Sequence, residues 1–376
     1  MQGRDSSVRL VEISMRGFKT FRRLEKFKPA PINILIGANG AGKSNFISFF
    51  RLLSWMIGAG RLQEYVAMQG GASALLHDGP ETTREIEATA TFETAKGRND
   101  YSFRLFYAAG DTLVFASEGY RFSRFDIRTE ATWTTLAAGH KEAKIIERGR
   151  SKDPNMRTAG VVLSLLKRIV LYQFHNTAEA APIRTKSGVN DCRRLREHGG
   201  NIAAILLKLR EREPVHYERI VERIRLVAPF FEDFVLEPEY NKVLLQWKEK
   251  SCDVTFDASQ ASDGMLRLFC LITLLCQPLK DIPDILILDE PELGLHPTAI
   301  NLASDLIRSV SKNKQVIIAT QSAPFVNNFE PEEVIVVDRA DRESTLKRLN
   351  SRDLKDWLED YTLGDLWQKN ILGGKP

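Results

Sequence analysis

The chain has 376 residues, 43% of them hydrophobic and 27% charged, with a formal net charge of +4. That balance fits a globular protein with a sizeable core, at a length that admits two or three domains or one sheet with an inserted lobe, and it excludes disordered and collagen-like chains. No run of about 18 apolar residues predicts a membrane span, the charged N-terminal segment does not read as a secretory leader, and the slight basic excess permits nucleic-acid binding without arguing for it.

The predicted elements begin with strands at 8–15, 23–28 and 32–36, the last apolar enough to be buried on both faces. A glycine-rich turn follows, then an apolar helix from Ser44 to Trp55. Residues 84–93 alternate. Residues 101–107 and 112–122 flank Ala-Ala-Gly-Asp and predict a hairpin. Residues 124–154 are polar with weak patterning and predict a loop-rich stretch. A helix at 161–168 runs into a strand at 169–174. Residues 185–200 are polar and basic. Helices at 201–211 and after Pro214 suggest a helical lobe. An apolar helix at 265–276 precedes buried strands at 284–288, 315–320 and 333–337. Alternating strand and helix in this half argues for a mostly parallel α/β sheet. No heptad array appears. Cys192, Cys252, Cys270 and Cys276 form no CxxC pair and read as reduced thiols of a cytoplasmic protein.

Chemistry concentrates in three stretches. Gly37-Ala38-Asn39-Gly40-Ala41-Gly42-Lys43-Ser44 is a complete G-x-x-x-x-G-K-S, with a buried strand before it and an apolar helix, starting through Asn45, after it. Its glycines let backbone N–H groups wrap phosphates at a helix N-terminus. Lys43 should reach the β- and γ-phosphates of ATP, and Ser44 should bind Mg²⁺. Asp289 and Glu290 end a buried strand. The first suits the Mg²⁺ shell and the second suits polarising the attacking water. Gln321 ends the strand 315–320, where a polar residue would meet the γ-phosphate.

The order of these segments, with Gln260-Ala-Ser-Asp-Gly-Met, Leu288-Asp-Glu-Pro-Glu-Leu-Gly-Leu-His-Pro and Tyr361-Thr-Leu-Gly-Asp-Leu-Trp, resembles the ABC-type ATPases of the RecF, SMC and OLD group. It looks most like the stand-alone bacterial predicted ATPases of that group. The resemblance implies an α/β fold: a P-loop ATPase head with an antiparallel β subdomain and a helical lobe, and no long coiled coil. It divides the chain into 1–160 (β subdomain and phosphate loop), 161–250 (helical lobe) and 251–376 (signature, acidic strand and switch). ATP and Mg²⁺ would lie between two heads of a homodimer, with Ser262, Asp263 and Gly264 reaching the partner's nucleotide. Residues 292–297 would touch the partner head. Lys19 and Thr20 would lie near the adenine, and Gln173 or His175 would sense the metal. The signature departs from the usual pattern at Ala261, Asp263 and Met265. The switch is Gln321 where histidine is usual. Glutamine can hold a water or an oxygen but carries no charge, so a slow ATPase is expected.

The insertion between Ser44 and Ser262 is too short for long coiled-coil arms, and the stretch after Asp338 is too short for an added nuclease domain. No membrane partner is expected. The leading expectation is a RecF-like ATPase acting on duplex DNA, in repair or defence, with Arg184, Lys186, Arg193, Arg194 and Arg196 as phosphate contacts. The alternative is a regulatory ATPase that gates a separate effector protein, a nuclease or toxin, in bacterial defence.

Overall fold

The computed structural model describes residues 8–127 and 131–374. In chain order the N-terminal half contains β1 (Arg9–Phe18), β2 (Phe21–Phe27), β3 (Ile32–Ile36), α1 (Lys43–Leu53), α2 (Leu62–Met68), β4 (Glu85–Thr94), β5 (Gly97–Ala108), β6 (Thr112–Arg124), β7 (Thr134–Leu136), α3 (Ile145–Arg150), α4 (Arg157–Leu166) and β8 (Ile169–Tyr172). The middle contributes β9 (Ser187–Gly188), α5 (Ile202–Arg212), α6 (Pro214–Val227), β10 (Phe231–Val235), β11 (Lys242–Val243), β12 (Gln246–Glu249) and β13 (Thr255–Asp257). The last part contributes α7 (Asp263–Cys276), β14 (Ile285–Asp289), α8 (Pro297–Ser311), β15 (Gln315–Ala319), α9 (Ala323–Val326), β16 (Val334–Ala340), β17 (Glu343–Arg348), α10 (Lys355–Leu358) and α11 (Leu363–Gln368).

Two six-stranded sheets organise the molecule. One is antiparallel, in the order β2-β1-β4-β5-β6-β7. Its strands alternate because one face is buried and the other solvated. The other sheet runs β17-β16-β3-β15-β14-β8, parallel from β16 to β8, with β17 an antiparallel edge. Its central strands are unbroken apolar runs because both faces are covered. Ile34, Leu286, Leu288, Val316 and Ile318 point into a core shared with α5 to α8. Leu35, Ile285, Ile287 and Ile317 point the other way, into a core shared with α1 and the antiparallel sheet. The architecture is an α/β ATPase-type head without a long coiled-coil helix. Among the described residues no helix is long and apolar enough to cross a membrane.

Two segments differ from the sequence expectation. The helix from Ser44 starts one residue earlier and then widens into a π turn, Ser54–Ala59, closed by Gly60 donating back to the Trp55 carbonyl. The stretch 124–154, expected to be loop-rich, carries β7 and α3. Buried Leu136, Ala143 and Ile145 anchor it. The buried carboxylate of Glu118 accepts the N–H of Lys144 at 2.8 Å and of Ile145 at 3.2 Å, and so satisfies the start of α3 from another strand.

The topology sets the site. β3, β15 and β14 are neighbours and run the same way, with β8 beside β14. The segments leaving their C-terminal ends therefore meet at one rim of the sheet, where open α/β sheets bind ligands.

Candidate nucleotide site

The loop after β3 turns through left-handed backbone at Gly40 (φ 78°) and Gly42 (φ 119°). At Gly42 an added Cβ would lie 2.2 Å from Ser344 Oγ and 2.9 Å from Thr20 Oγ1. Those hydroxyls support the loop from behind. Ser344 Oγ donates to Ala41 O at 2.6 Å and lies 2.7 Å from Thr20 Oγ1, which also accepts from Asn45 Nδ2 at 2.9 Å. Thr20, linked by family resemblance to the adenine, thus braces the loop. Lys19 Nζ, its sequence neighbour, lies 3.4 Å from Gln69 Oε1. Gly42→Ala should cost about 1–3 kcal/mol, because it combines a disfavoured φ with a clash. Thermal unfolding checks it, and a melting temperature equal to wild type would reject the claim that this packing is tight.

Asn39, Gly40 and Ser44 are exposed at the mouth of the loop, while Lys43 is buried. The Lys43 ammonium folds onto the loop's own carbonyls, 2.5 Å from Gly37 O and 3.0 Å from Ala38 O. Burial lowers its pKa, while Glu290 and Asp289 oppose that shift.

A cavity of about 290 Å³ opens beside it, lined by Ser44, Ile47, Arg51, Gln173, His175, Asp289 and Glu290. Three elements are stitched together here. Arg51 Nη2 donates to Gln173 Oε1 at 2.6 Å, and Gln173 Nε2 donates to Asp289 Oδ2 at 2.9 Å. His175 Nε2 donates to the Asp289 carbonyl at 2.9 Å, while its Nδ1 faces Gln173 Nε2 at 3.2 Å. Both candidates for the metal-sensing position therefore contact Asp289. Burial raises the Asp289 pKa, and Glu290 adds to that, against His175, Arg51 and Lys43. Arg51 was not anticipated from sequence. Its spacing from Ser44 and Ile47 by helical turns would have placed it on the same face.

Glu290 adopts φ 43°, unusual for a residue with a Cβ, and its N–H donates to Ala319 O at 2.8 Å. Gln321 Nε2 donates to Glu290 Oε1 at 2.5 Å. The two residues expected to work on one water are thus in direct contact. Beneath them Glu292 is buried and accepts from Thr320 Oγ1. Burial pushes this carboxyl up to about 7.

Ser262 caps α7, its Oγ accepting from Met265 N at 3.3 Å. Asp263 pairs with Arg184 Nη2 at 3.1 Å, so its charge is answered within its own chain. Arg184 also donates to the carbonyls of Thr177, Ala258 and Ala261. It is therefore turned inward, and its place among DNA phosphate contacts is corrected: it holds the signature turn. Lys186 pairs with Glu239 at 2.5 Å and Arg196 with Asp191 at 2.8 Å, which leaves Arg193 and Arg194 as the exposed members without an ion pair among the described contacts. Gly264 abuts Gly294, whose carbonyl would lie 2.4 Å from an added Cβ. Arg267 Nη1 donates to Leu293 O at 3.1 Å, and its Nη2 to His175 O at 3.3 Å. Arg267 thereby links the signature helix, the segment after Glu290 and the segment after β8. Neither Arg184 nor Arg267 has a local pattern that announces this.

The residues fit a magnesium nucleotide: a cradle with no room for a Cβ at Gly37 and Gly42, an ammonium bound among the described residues to carbonyls, and a hydroxyl and a carboxylate facing one cavity. Residues 32–327 match the model of the family described as "AAA domain, putative AbiEii toxin, Type IV TA system". No curated protein matches the chain. Among solved structures it is similar to an Smc head bound to the C-winged helix domain of ScpA, at 15% identity over 92% of this chain and 99% of that one, with a TM-score of 0.59. It is similar as well to the Pyrococcus furiosus Smc head domain with an extended coiled coil bound to the C-terminal domain of ScpA, at 13% identity over 94% and 99%, with a TM-score of 0.58. At such identities the likeness is one of fold.

Proposed function

The chain belongs to this AAA domain family, and from that premise we propose that it is an ATPase whose nucleotide state gates a separate effector protein in a bacterial defence or toxin system. One observation carries the ATPase reading. The Lys43 loop, the Asp289–Glu290 pair and Gln321 converge on one rim, with Gln321 bonded to Glu290 at 2.5 Å.

In the proposed reaction Lys43 leaves the carbonyls of Gly37 and Ala38 to meet phosphate oxygens. Bound Mg²⁺, held by Ser44 and Asp289 with Gln173 bonded beside it, would neutralise charge on those oxygens. Glu290 accepts the proton of the attacking water. The Gln321 amide holds the Glu290 carboxylate in place, and its carbonyl oxygen is available to orient the same water. No charge change at Gln321 assists the step, which supports slow turnover. Positioning and electrostatics dominate this chemistry, so an uncharged switch can suffice.

Asp263 and Gly264 are engaged with Arg184 and Gly294 of their own chain, and Ser262 caps α7. Their proposed ligand is the nucleotide of a second copy, in a homodimer that closes on ATP. Exposed Leu293, beside Gly294, would face that copy.

The effector reading takes precedence over a RecF-like role on DNA for two reasons. The matched family is described by a toxin system. The basic segment proposed for DNA is partly consumed by internal pairs at Arg184, Lys186 and Arg196. The test is steady-state ATP hydrolysis by purified protein beside Glu290→Gln, with and without duplex DNA and with and without the protein encoded by an adjacent reading frame. Hydrolysis above the blank, indifferent to DNA and altered by that protein, is expected. Stimulation by DNA that vanishes with Arg193→Glu and Arg194→Glu would reverse the preference.

A further inference from the structure

The C-terminal segment packs on α9, next to the switch residue, and against the entry to the phosphate loop. Its first contact is α11, within the Tyr361-Thr-Leu-Gly-Asp-Leu-Trp run. Thr362 and Asp365 cap the helix reciprocally, at 3.2 Å and 3.1 Å. Leu363, Leu366 and Trp367 are buried in the same core as Phe325 and Val326 of α9. Gly364 is the point of closest approach. Its N–H donates to Asn327 Oδ1 at 2.7 Å, and an added Cβ would meet that oxygen at 2.6 Å and Ala323 O at 2.8 Å. α9 starts at its cap Ser322, immediately after Gln321. α11 therefore braces the helix from which the switch residue hangs.

The chain then doubles back. Ile371 N–H donates to Leu366 O at 2.9 Å, and Leu372 is buried. Gly374 (φ 70°) reaches the opposite side of the site. A Cβ there would lie 2.8 Å from Val336 Cγ1, 3.2 Å from Val337 O and 3.3 Å from Gly37 Cα. Val336 is the register partner of Ile36, the last residue before the phosphate loop. A side chain there would have to push Val336 Cγ1 aside, at a φ that residues with a Cβ seldom adopt.

We infer that residues 363–374 form a strap that positions both halves of the nucleotide site: Gly364, through Asn327 and α9, sets Gln321, and Gly374 sets the entry to the phosphate loop at Gly37. The two contacts act on different parts of the machinery, so they should be separable. The inference rests on the ATPase reading only for its kinetic consequences.

Two variants separate the contacts without inserting bulk: Asn327→Ala, and a chain ending at Leu372. Amide hydrogen exchange on the nucleotide-free proteins tests the strap independently of any activity. Asn327→Ala should speed exchange across residues 320–326 and leave 37–42 as in wild type. The shortened chain should do the reverse. Kinetically, Asn327→Ala should lower kcat about tenfold at unchanged affinity for a fluorescent ATP analogue, because a misplaced catalytic group costs turnover. The shortened chain should weaken that affinity about tenfold with kcat within about twofold, since a disordered cradle costs ground-state binding. Gly374→Ala should match the shortened chain. If both variants loosen the same segment, or neither loosens any, the strap is overturned. If the exchange pattern appears while wild type neither binds nor hydrolyses ATP, the strap stands and the ATPase reading falls.

Discussion

Glu290→Gln should lower ATP turnover by roughly 10²–10⁴-fold, the usual range for loss of a positioned general base, while nucleotide binding persists. The side chain sits 2.5 Å from Gln321 Nε2, on a backbone held at φ 43° by its own N–H bond to Ala319 O. The substitution keeps that shape but removes the basic lone pairs. It also removes a negative charge that raises the Asp289 pKa. Asp289 should then ionise more readily and the cradle should repel phosphates less. Affinity for ATP is therefore expected to hold or tighten, and a nucleotide-bound dimer should accumulate, visible by light scattering. Gln321→Ala makes the contrast. It leaves the base intact and loosens it, so turnover should fall by about tenfold, well short of the loss at Glu290. Equal losses would mean that Gln321 is as much a part of the chemistry as the acid. Turnover within about threefold of wild type in Glu290→Gln would remove Glu290 from the role of base, leaving the water to be activated by phosphate alone.

What could be read in the sequence was whatever local pattern encodes. Parallel strands buried on both faces write themselves as unbroken apolar runs, so β3, β14 and β15 were legible, and with them the rim that their ends share. The phosphate loop and the acidic pair are strings whose spacing is dictated by one turn of backbone. What was not legible depends on partners distant in the chain. Glu118 caps α3 from 26 residues away, and nothing near Lys144 signals a helix start. Arg184 looks like one more cation in a basic stretch, and only the folded chain shows it bound to Asp263 and the carbonyls before it. Thr20's hydroxyl contacts to Asn45 and Ser344 were likewise not legible, because a motif gives an order along the chain and not a direction of the side chain. Of the two glycines of the strap, Gly364 lies in the Tyr361-Thr-Leu-Gly-Asp-Leu-Trp run without that run saying what it packs against, and Gly374 carries no pattern. Their meaning is steric and resides in Ala323, Asn327, Val336 and Gly37.

Lys43→Met should weaken ATP binding by about 10–100-fold, the loss of one or more charge-assisted hydrogen bonds at roughly 1.5–3 kcal/mol each. The nucleotide-free protein should lose little stability, because the ammonium is buried against carbonyls, with no ion pair among the described residues, and a thioether of similar length removes a desolvation cost. The same burial gives a second signature. In the nucleotide-free protein the Lys43 pKa lies below its ordinary value, from desolvation first, with Glu290 and Asp289 opposing. Phosphate oxygens would restore it. Between the lowered and the restored value, binding must take up a proton. Affinity is thus full below the lowered pKa and falls as pH rises through it, with a slope approaching one proton. Lys43→Met should bind weakly with no such slope. Calorimetry in two buffers of different ionisation enthalpy reads the proton uptake directly. An alkaline slope that survives in Lys43→Met would assign it to another group. Wild-type affinity that is flat on the alkaline side would mean that Lys43 keeps its proton when it leaves the carbonyls of Gly37 and Ala38, so that the cradle's charge is already set before nucleotide arrives.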